Sequence, residues 1–401
     1  MADKKTVRDI DVTGKTALVR VDFNVPFKPA STEILDDSRI RASLETVRYL
    51  LHRRCKVVLC SHLGRPKGRV VDELRMDPVA ERLSKLLDGP VLQAPDCVGP
   101  RVAAMVKNLS GGEVLLLENL RFHAEEEQND PDFAKELASP ADLYVDDAFG
   151  VAHRAHASLV GIARFLPAVS GLLMARELEM LGSALHAPAR PFAAVLGGAK
   201  VSDKIAVLRG LVQKVDTLII GGGMAATFLN AGGLDTGESR VEADQVAVAR
   251  ELVATARGAG VELLLPVDVV VAAEFSETTA HRVADVSAIP ATWRIMDVGP
   301  RTSALYSTAL SEAKTVIWNG PMGVSEWQPF ADGTTQIANA LAAMSDATTV
   351  LGGGSTAEAV ARLGLTSRMT HVSTGGGSSL ALLEGRTLPG VAALMDRDTE
   401  L

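Results

Sequence analysis

The sequence predicts an α/β protein with two doubly wound, mainly parallel-sheet, Rossmann-like domains joined by a linking helix and hinge. Three observations predict it. A chain of 401 residues, 47% hydrophobic, is too long for one compact core and divides naturally into two domains of about 200 residues each. Short Val/Leu/Ile-rich runs alternate with amphipathic stretches almost throughout, as parallel strands buried on both faces require. Glycine clusters follow several of these runs, marking tight strand-to-helix turns.

In chain order, the strand-like runs of the first half are 16–21, 56–60, 114–117 and 143–145. An amphipathic helix over Leu172–His186 carries Leu173, Leu178, Met180, Leu181 and Leu185 and is followed by APARP. It reads as the linker, which gives a first domain over 1–171, a linking helix over 172–186 and a second domain over 187–387. The second half has strand-like runs at 192–196, 217–220, 262–266, 315–318 and 348–351. The last segment, 388–401, is short and apolar at its start and is expected to return to the first domain.

Composition excludes several classes. The net charge of −8 disfavours nucleic acid or an anionic membrane as partner. The opening MADKKTVRDIDV has no apolar run of the signal-peptide kind, and no stretch approaches the roughly 20 apolar residues of a membrane span. Cys55, Cys60 and Cys97 are an odd, sparse set that argues against a disulfide framework or a zinc site. A cytoplasmic, reduced protein is the expectation.

Ligands of doubly wound sheets bind beyond the carboxyl ends of the strands. In the first half those positions are cationic. VRVDFNVP places Asp22 and Asn24 after the first run, SHLGRP places His62 and Arg65 after the second, LLLENLRFH places Arg121 after the third, and DDAFGVAHRAH places His153 and Arg154 after the fourth. Arg39 lies at a helix start. Arginine in this number suits bidentate recognition of a small polyanion. In the second half the stretch PFAAVLGGAKVSDK reads as strand, glycine turn and helix start. Lys200 and Lys204, four apart, are expected to project from one helical face toward an anion. Glycine triplets at 221–223, 352–354 and 375–377 follow later runs, and NGPMGVSE places Asn319 and Glu326 near a strand end, the carboxylate suiting ribose hydroxyls. No nucleophile–base constellation is apparent. Direct phosphoryl transfer needs none, and two half-sites on separate domains predict closure.

VRVDFNVP, SHLGRPKG, LLLENLRFH, DAFGVAHRAHAS, GGAKVSDKI, GGGMAATFL, LPVDVVVA, WNGPMGVSE and HVSTGGGSSLALLEG together resemble the phosphoglycerate kinase family, in order and over essentially the whole chain. The resemblance implies reversible phosphoryl transfer between 1,3-bisphosphoglycerate and ADP, giving 3-phosphoglycerate and ATP with Mg²⁺, in a two-domain monomer. It implies that Asp22, Phe23, Asn24, Arg39, His62, Leu63, Gly64, Arg65, Arg121, His153 and Arg154 bind 3-phosphoglycerate. It assigns the nucleotide to Gly198, Lys200, Lys204, Gly222, Ile295, Asn319, Pro321, Glu326, Gly352, Gly353, Gly354, Ser355 and Thr356. Lys200, Gly376 and, on the opposite side, Arg39 would act on the transferring group.

Three departures from the family pattern matter. Ser355 stands where an aspartate associated with magnesium is usual, which leaves the metal ligands unassigned and implies weaker MgADP binding. Ile295 stands where glycine is common beside the nucleoside. Asp146 replaces the usual asparagine and is expected to add negative charge near His153. The G-x-G-x-x-A segments starting at Gly221 and Gly352 lack an acidic residue at a second strand end, which disfavours a nicotinamide dehydrogenase, and no P-loop motif occurs. A non-catalytic binding protein on the same fold is the alternative that Ser355 raises, and Lys200 argues against it.

Overall fold

The structure, a computed structural model, describes residues 3–29 and 31–399. The first two residues of the expected first domain and the last two of the expected returning segment lie outside them. The chain divides into two compact units: Met1–Glu179 with Thr387–Leu401, and Met180–Arg386. The crossing from the first to the second falls inside the helix Leu172–His186. No helix among the described residues is long and apolar enough to cross a membrane.

The first unit is built on β1 (Thr16–Arg20), β2 (Lys56–Cys60), β3 (Val91–Gln93), β4 (Val114–Leu116), β5 (Leu143–Asp146) and β6 (Ala168–Ser170). They form one parallel sheet in the order β3-β4-β2-β1-β5-β6. Successive side chains of a strand face opposite ways. Ala17 and Val19 therefore join one apolar layer with Ile40, Val47 and Leu83, while Leu18 joins the other with Val106, Phe133 and Leu137. The terminal segment closes on this unit: Met395 N–H donates to Ala168 O, and Lys5 N–H to Met395 O, both at 2.9 Å.

The second unit opens with β7 (Phe192–Leu196), β8 (Thr217–Ile220) and β9 (Glu262–Leu264). An antiparallel ribbon follows, β10 (Asp268–Ala272), β11 (His281–Asp285) and β12 (Arg294–Val298), and then β13 (Thr315–Asn319), β14 (Thr348–Gly352) and β15 (His371–Val372). The main sheet is parallel, in the order β15-β14-β13-β7-β8-β9. The chain winds one way from β7 through β9 and the other way from β13 through β15. The switch point therefore lies between β7 and β13, where this class of sheet binds ligands.

Every strand that periodicity predicts is present. The unpredicted ones of the two parallel sheets, β3, β6 and β15, are edge strands of two or three residues, too short to show a pattern. The ribbon β10–β12 was also unpredicted, and it makes the second unit parallel only in its main sheet.

Candidate functional site

In the first unit the loops after β1, β2, β4 and β5, the four central strands, meet at one sheet edge. Asp22 is the pivot. Its Oδ2 accepts from Arg39 Nη1 at 2.8 Å, and its Oδ1 lies 3.9 Å from His62 Nδ1. Asn24 holds the next loop, accepting from Gly64 N–H at 2.9 Å, and Arg121 Nη1 donates to Gly64 O at 2.8 Å.

Two residues that the motifs did not single out build this edge. Arg20, fully buried in β1, donates from Nε to Ser158 Oγ at 3.0 Å, bonds Val21 O, and places Nη2 3.1 Å from His62 Nδ1. Asn119 accepts from the N–H groups of Leu63 and Arg121 and donates to the carbonyls of Leu63 and Leu74. An arginine inside an apolar run and an asparagine beside the conspicuous Arg121 gave no separate signal.

The electrostatics correct one expectation. His62 is not a cation. Burial first, and then the charges of Arg20, Arg121, Arg154 and Arg39, hold its pKa well below the ordinary histidine value. Because Arg20 only donates, His62 Nδ1 accepts, so the neutral ring carries its proton on Nε2 and is itself a donor. Its 3.9 Å approach to Asp22 is therefore no ion pair. Arg121 is pushed down to about 10, first by burial and next by Arg154. Buried Nε and Nη2 of Arg121 and Nε of Arg154 have no hydrogen-bond partner among the described residues. Arg121 Nε lies 3.4 Å from Glu127 Oε1, a partial counter-charge.

The other predicted residues occupy distinct places. Phe23 and Leu63 have buried side chains within the apolar layer, and both polar backbone groups of Leu63 are taken by Asn119. Arg65 is exposed, and His153 and Arg154 are half-buried. Asp146 is fully buried. Its Oδ1 accepts from Ala148 N–H, and burial pushes its pKa up to about 6 against the pull of that bond and of Arg20.

In the second unit the loops after β7, β8 and β13 interlock through their backbones. Gly197 N–H donates to Asn319 O, Gly198 N–H to Pro321 O and Gly222 N–H to Met322 O, at 3.0, 3.0 and 2.9 Å. A Cβ on Gly222 would lie 2.5 Å from Gly198 N, so no other residue fits there. Lys204 is buried, and its Nζ donates to Asn319 O at 2.7 Å and to Asn319 Oδ1. Burial pushes its pKa down to about 7.

The expectation of two stacked lysines on one helical face is corrected. The helix begins only at Ile205 and has seven residues; Lys204 is its N-cap and turns inward, and Lys200 lies in the loop before it. The N–H groups of Val201 and Ser202, expected at a helix start facing an anion, donate instead to Glu242.

The helix Gly354–Arg362 starts after Gly353, whose φ of 94° an L side chain rarely adopts. The helix Gly376–Leu383 starts beside it, since a Cβ on Gly376 would lie 3.9 Å from Gly353 Cα. Two helix N-termini thus converge, an arrangement that favours anionic oxygens. Thr356 Oγ1 accepts from Gly320 N–H at 2.8 Å, tying this corner to the loop after β13. Ser355 and Glu326 are exposed. Ile295 packs against the small apolar cluster around Val269 and Val271 and donates its N–H to Ser239 Oγ.

Ser355 presents a neutral oxygen at the first turn of its helix, a donor fit for Mg²⁺ only in company with other oxygens. Among the described residues, the one group of three metal-ligating side chains lies elsewhere: Asp96, Cys97 and His123 in the first unit. There Asp96 Oδ1 bonds His123 Nε2 at 2.7 Å and the imidazole stacks on Phe133, which braces the segment carrying Arg121.

The family model described as phosphoglycerate kinase matches residues 7–386. The phosphoglycerate kinase of Moorella thermoacetica is 55% identical over 394 residues, covering 98% of this chain and 100% of that protein. That of Pelotomaculum thermopropionicum is 56% identical over the same coverage. Among solved structures, phosphoglycerate kinase from Coxiella burnetii matches with a TM-score of 0.87 at 39% identity, over 97% of this chain and 98% of that one. The enzyme from Pyrococcus horikoshii matches with the same score and coverage at 36% identity.

Proposed function

The chain belongs to the phosphoglycerate kinase family, and on that premise we propose how its residues divide the work. The reaction is reversible phosphoryl transfer between 1,3-bisphosphoglycerate and ADP, giving 3-phosphoglycerate and ATP. The protein is thus a kinase whose acceptor is a carboxyl group.

The first unit takes 3-phosphoglycerate. What supports this most is the crowding of Arg20, Arg39, Arg121 and Arg154 around one neutral imidazole, with three buried guanidinium nitrogens lacking a hydrogen-bond partner among the described residues. Like charges held together at one edge are stabilised by a polyanion, and arginine forks match phosphate and carboxylate. His62 donates through Nε2, Asp22 orients Arg39 and accepts from a ligand hydroxyl, and Asn24 and Asn119 keep the loops in place. The second unit takes the nucleotide, its phosphates on the paired helix N-termini and on Lys204, its ribose on Glu326. In the direction of ATP use, a carboxylate oxygen of 3-phosphoglycerate forms the new bond to the γ-phosphorus as the bond to the ADP oxygen breaks. No protein group becomes covalently attached, so positioning and charge stabilisation carry catalysis. Lys200 and the Gly376 N–H stabilise the transferring group.

Mg²⁺ bound with the nucleotide would supply charge neutralisation at its phosphates. Ser355 would contribute at most a neutral oxygen to it, so the ion would be held mainly by nucleotide oxygens and water. A coupled assay of 3-phosphoglycerate phosphorylation titrated with Mg²⁺ tests this. Ser355→Asp should reach half-activation at several-fold lower Mg²⁺ than the parent, because a carboxylate adds charge to the ligand set. Identical curves would sink the assignment. The same reading takes the protein as a cytoplasmic monomer without nucleic acid or membrane partners.

Lys204 gives a pH signature. With its pKa near 7 in the free protein, it is partly neutral at pH 7.5. Nearby phosphates favour the charged form and raise that pKa. ADP binding should therefore take up protons, up to one per site, above about pH 7, and affinity should fall as pH rises through that range. Calorimetry in buffers of different ionisation enthalpy measures the uptake. Lys204→Met should lose it, and an unchanged uptake in that variant would free Lys204 from the nucleotide site.

A further inference from the structure

We propose that Glu242 is a positioning residue for the reaction, locking the peptide plane that follows Lys200 and so fixing where that side chain starts. The proposal rests on the role of Lys200 given above.

The Val201 N–H belongs to the peptide bond that joins Lys200 to Val201. It donates to Glu242 Oε2 at 2.5 Å, the Ser202 N–H donates to the same oxygen at 3.1 Å, and Ser202 Oγ donates to Oε1 at 2.5 Å. Three donors from two consecutive residues thus meet one carboxylate. On the other side of Lys200, Gly198 is held through both its polar groups. Its N–H donates to Pro321 O, and its O accepts from Met224 N–H, each at 3.0 Å. Only Ala199 and Lys200 lie between the two anchors.

Glu242 is itself fixed. Its N–H donates to Oγ1 of Thr227 at 3.1 Å, and Thr227 is buried in the helix Ala225–Ala231 that follows the 221–223 glycines. The carboxylate is ionised. Burial pushes its pKa up, but the hydrogen bonds from Ser202 and Val201 win and hold it below the ordinary glutamate value. Successive backbone N–H groups at a turn would otherwise form a nest for an anion. Here the chain supplies the anion from 40 residues downstream, so this turn is a fixture for Lys200 and not a phosphate site.

Glu242→Ala and Glu242→Gln separate position from charge. In the glutamine variant the amide oxygen can take both N–H groups while the Ser202 hydroxyl turns to accept from the amide nitrogen. Glu242→Ala should lower kcat about 10- to 100-fold with KM for 3-phosphoglycerate unchanged, the scale of a catalytic group misplaced by an ångström. Glu242→Gln should stay within about threefold of the parent, because its hydrogen-bond geometry is preserved. In a Lys200→Ala background, Glu242→Ala should cost nothing further, since residues acting as a unit are non-additive. Melting curves identify a temperature at which all variants are folded, and rates are compared there. The proposal fails if Glu242→Ala keeps the parent kcat, if Glu242→Gln is as slow as Glu242→Ala, or if Glu242→Ala slows the Lys200→Ala protein by the full factor. Parent-like activity of Lys200→Ala alone is a separate result, and it removes the role of Lys200 as well.

Discussion

Replacing Lys200 by alanine is expected to lower kcat by about 100-fold or more, the scale on which one preorganised electrostatic stabiliser is lost. KM for 3-phosphoglycerate should change little, because that substrate is assigned to the arginines of the first unit. The loop chemistry singles out Lys200 over its neighbour. Lys204 is buried and committed to two oxygens of Asn319, and its pKa near 7 leaves its charge partial before a nucleotide binds. Lys200 is half-buried, lies before the turn, and has its backbone held on both sides. Its side chain therefore starts from a fixed backbone and has no such commitment to Asn319. An ionic partner of that kind stabilises the phosphoryl oxygens most when their charge is redistributed in transfer. Lys200→Arg keeps the charge but replaces a compact ammonium by a planar fork, and it should recover only part of the rate. The coupled assay run in both directions measures all three proteins. A loss below about tenfold in Lys200→Ala is too small for one electrostatic stabiliser and would take this residue out of the phosphoryl path.

How far the sequence revealed this site depended on distance along the chain. The central strands were legible because a parallel strand buried on both faces is a continuous apolar run, as KVVLC and FAAVL show. The edge strands β3, β6 and β15 were not, being too short to carry a period. Residues just after the central strands stood out as cations in the first half and glycines in the second, so the ligand edge of each sheet was legible. What holds those residues was not. Arg20 hides inside an apolar run, where an arginine reads as an interruption and not as a buried partner of His62 and Ser158. Glu242 sits in a polar stretch far from Lys200. Without it, the helical period of IAVLRGL extends naturally back to Val201 and puts two lysines on one helical face. The charge state of His62 was equally hidden, since it depends on burial and on four guanidiniums brought in from separate elements of the chain.

Arg39 should be the other costly position. Arg39→Ala is expected to reduce kcat/KM for 3-phosphoglycerate by about 100- to 1,000-fold, again on the scale of a lost charge stabiliser. Two effects add. The acceptor side loses a guanidinium, and Asp22, whose side chain is 9% exposed, loses the partner held at 2.8 Å. A buried carboxylate without its counter-charge is strongly unfavourable, and here it would also face an anionic substrate. The second effect is separable. Asp22→Asn in the Arg39→Ala background removes the stranded charge, and part of the lost kcat/KM should return even though two residues are now altered. A double variant no faster than Arg39→Ala would show that the stranded carboxylate plays no part and that the whole loss belongs to the guanidinium. Arg39→Lys keeps a charge, but one ammonium has to serve both Asp22 and the ligand where the fork served each with its own N–H groups. Its kcat/KM should fall between those of the parent and Arg39→Ala. An Arg39→Ala protein within about threefold of the parent falls far short of the loss of a charge stabiliser and would remove Arg39 from the reaction.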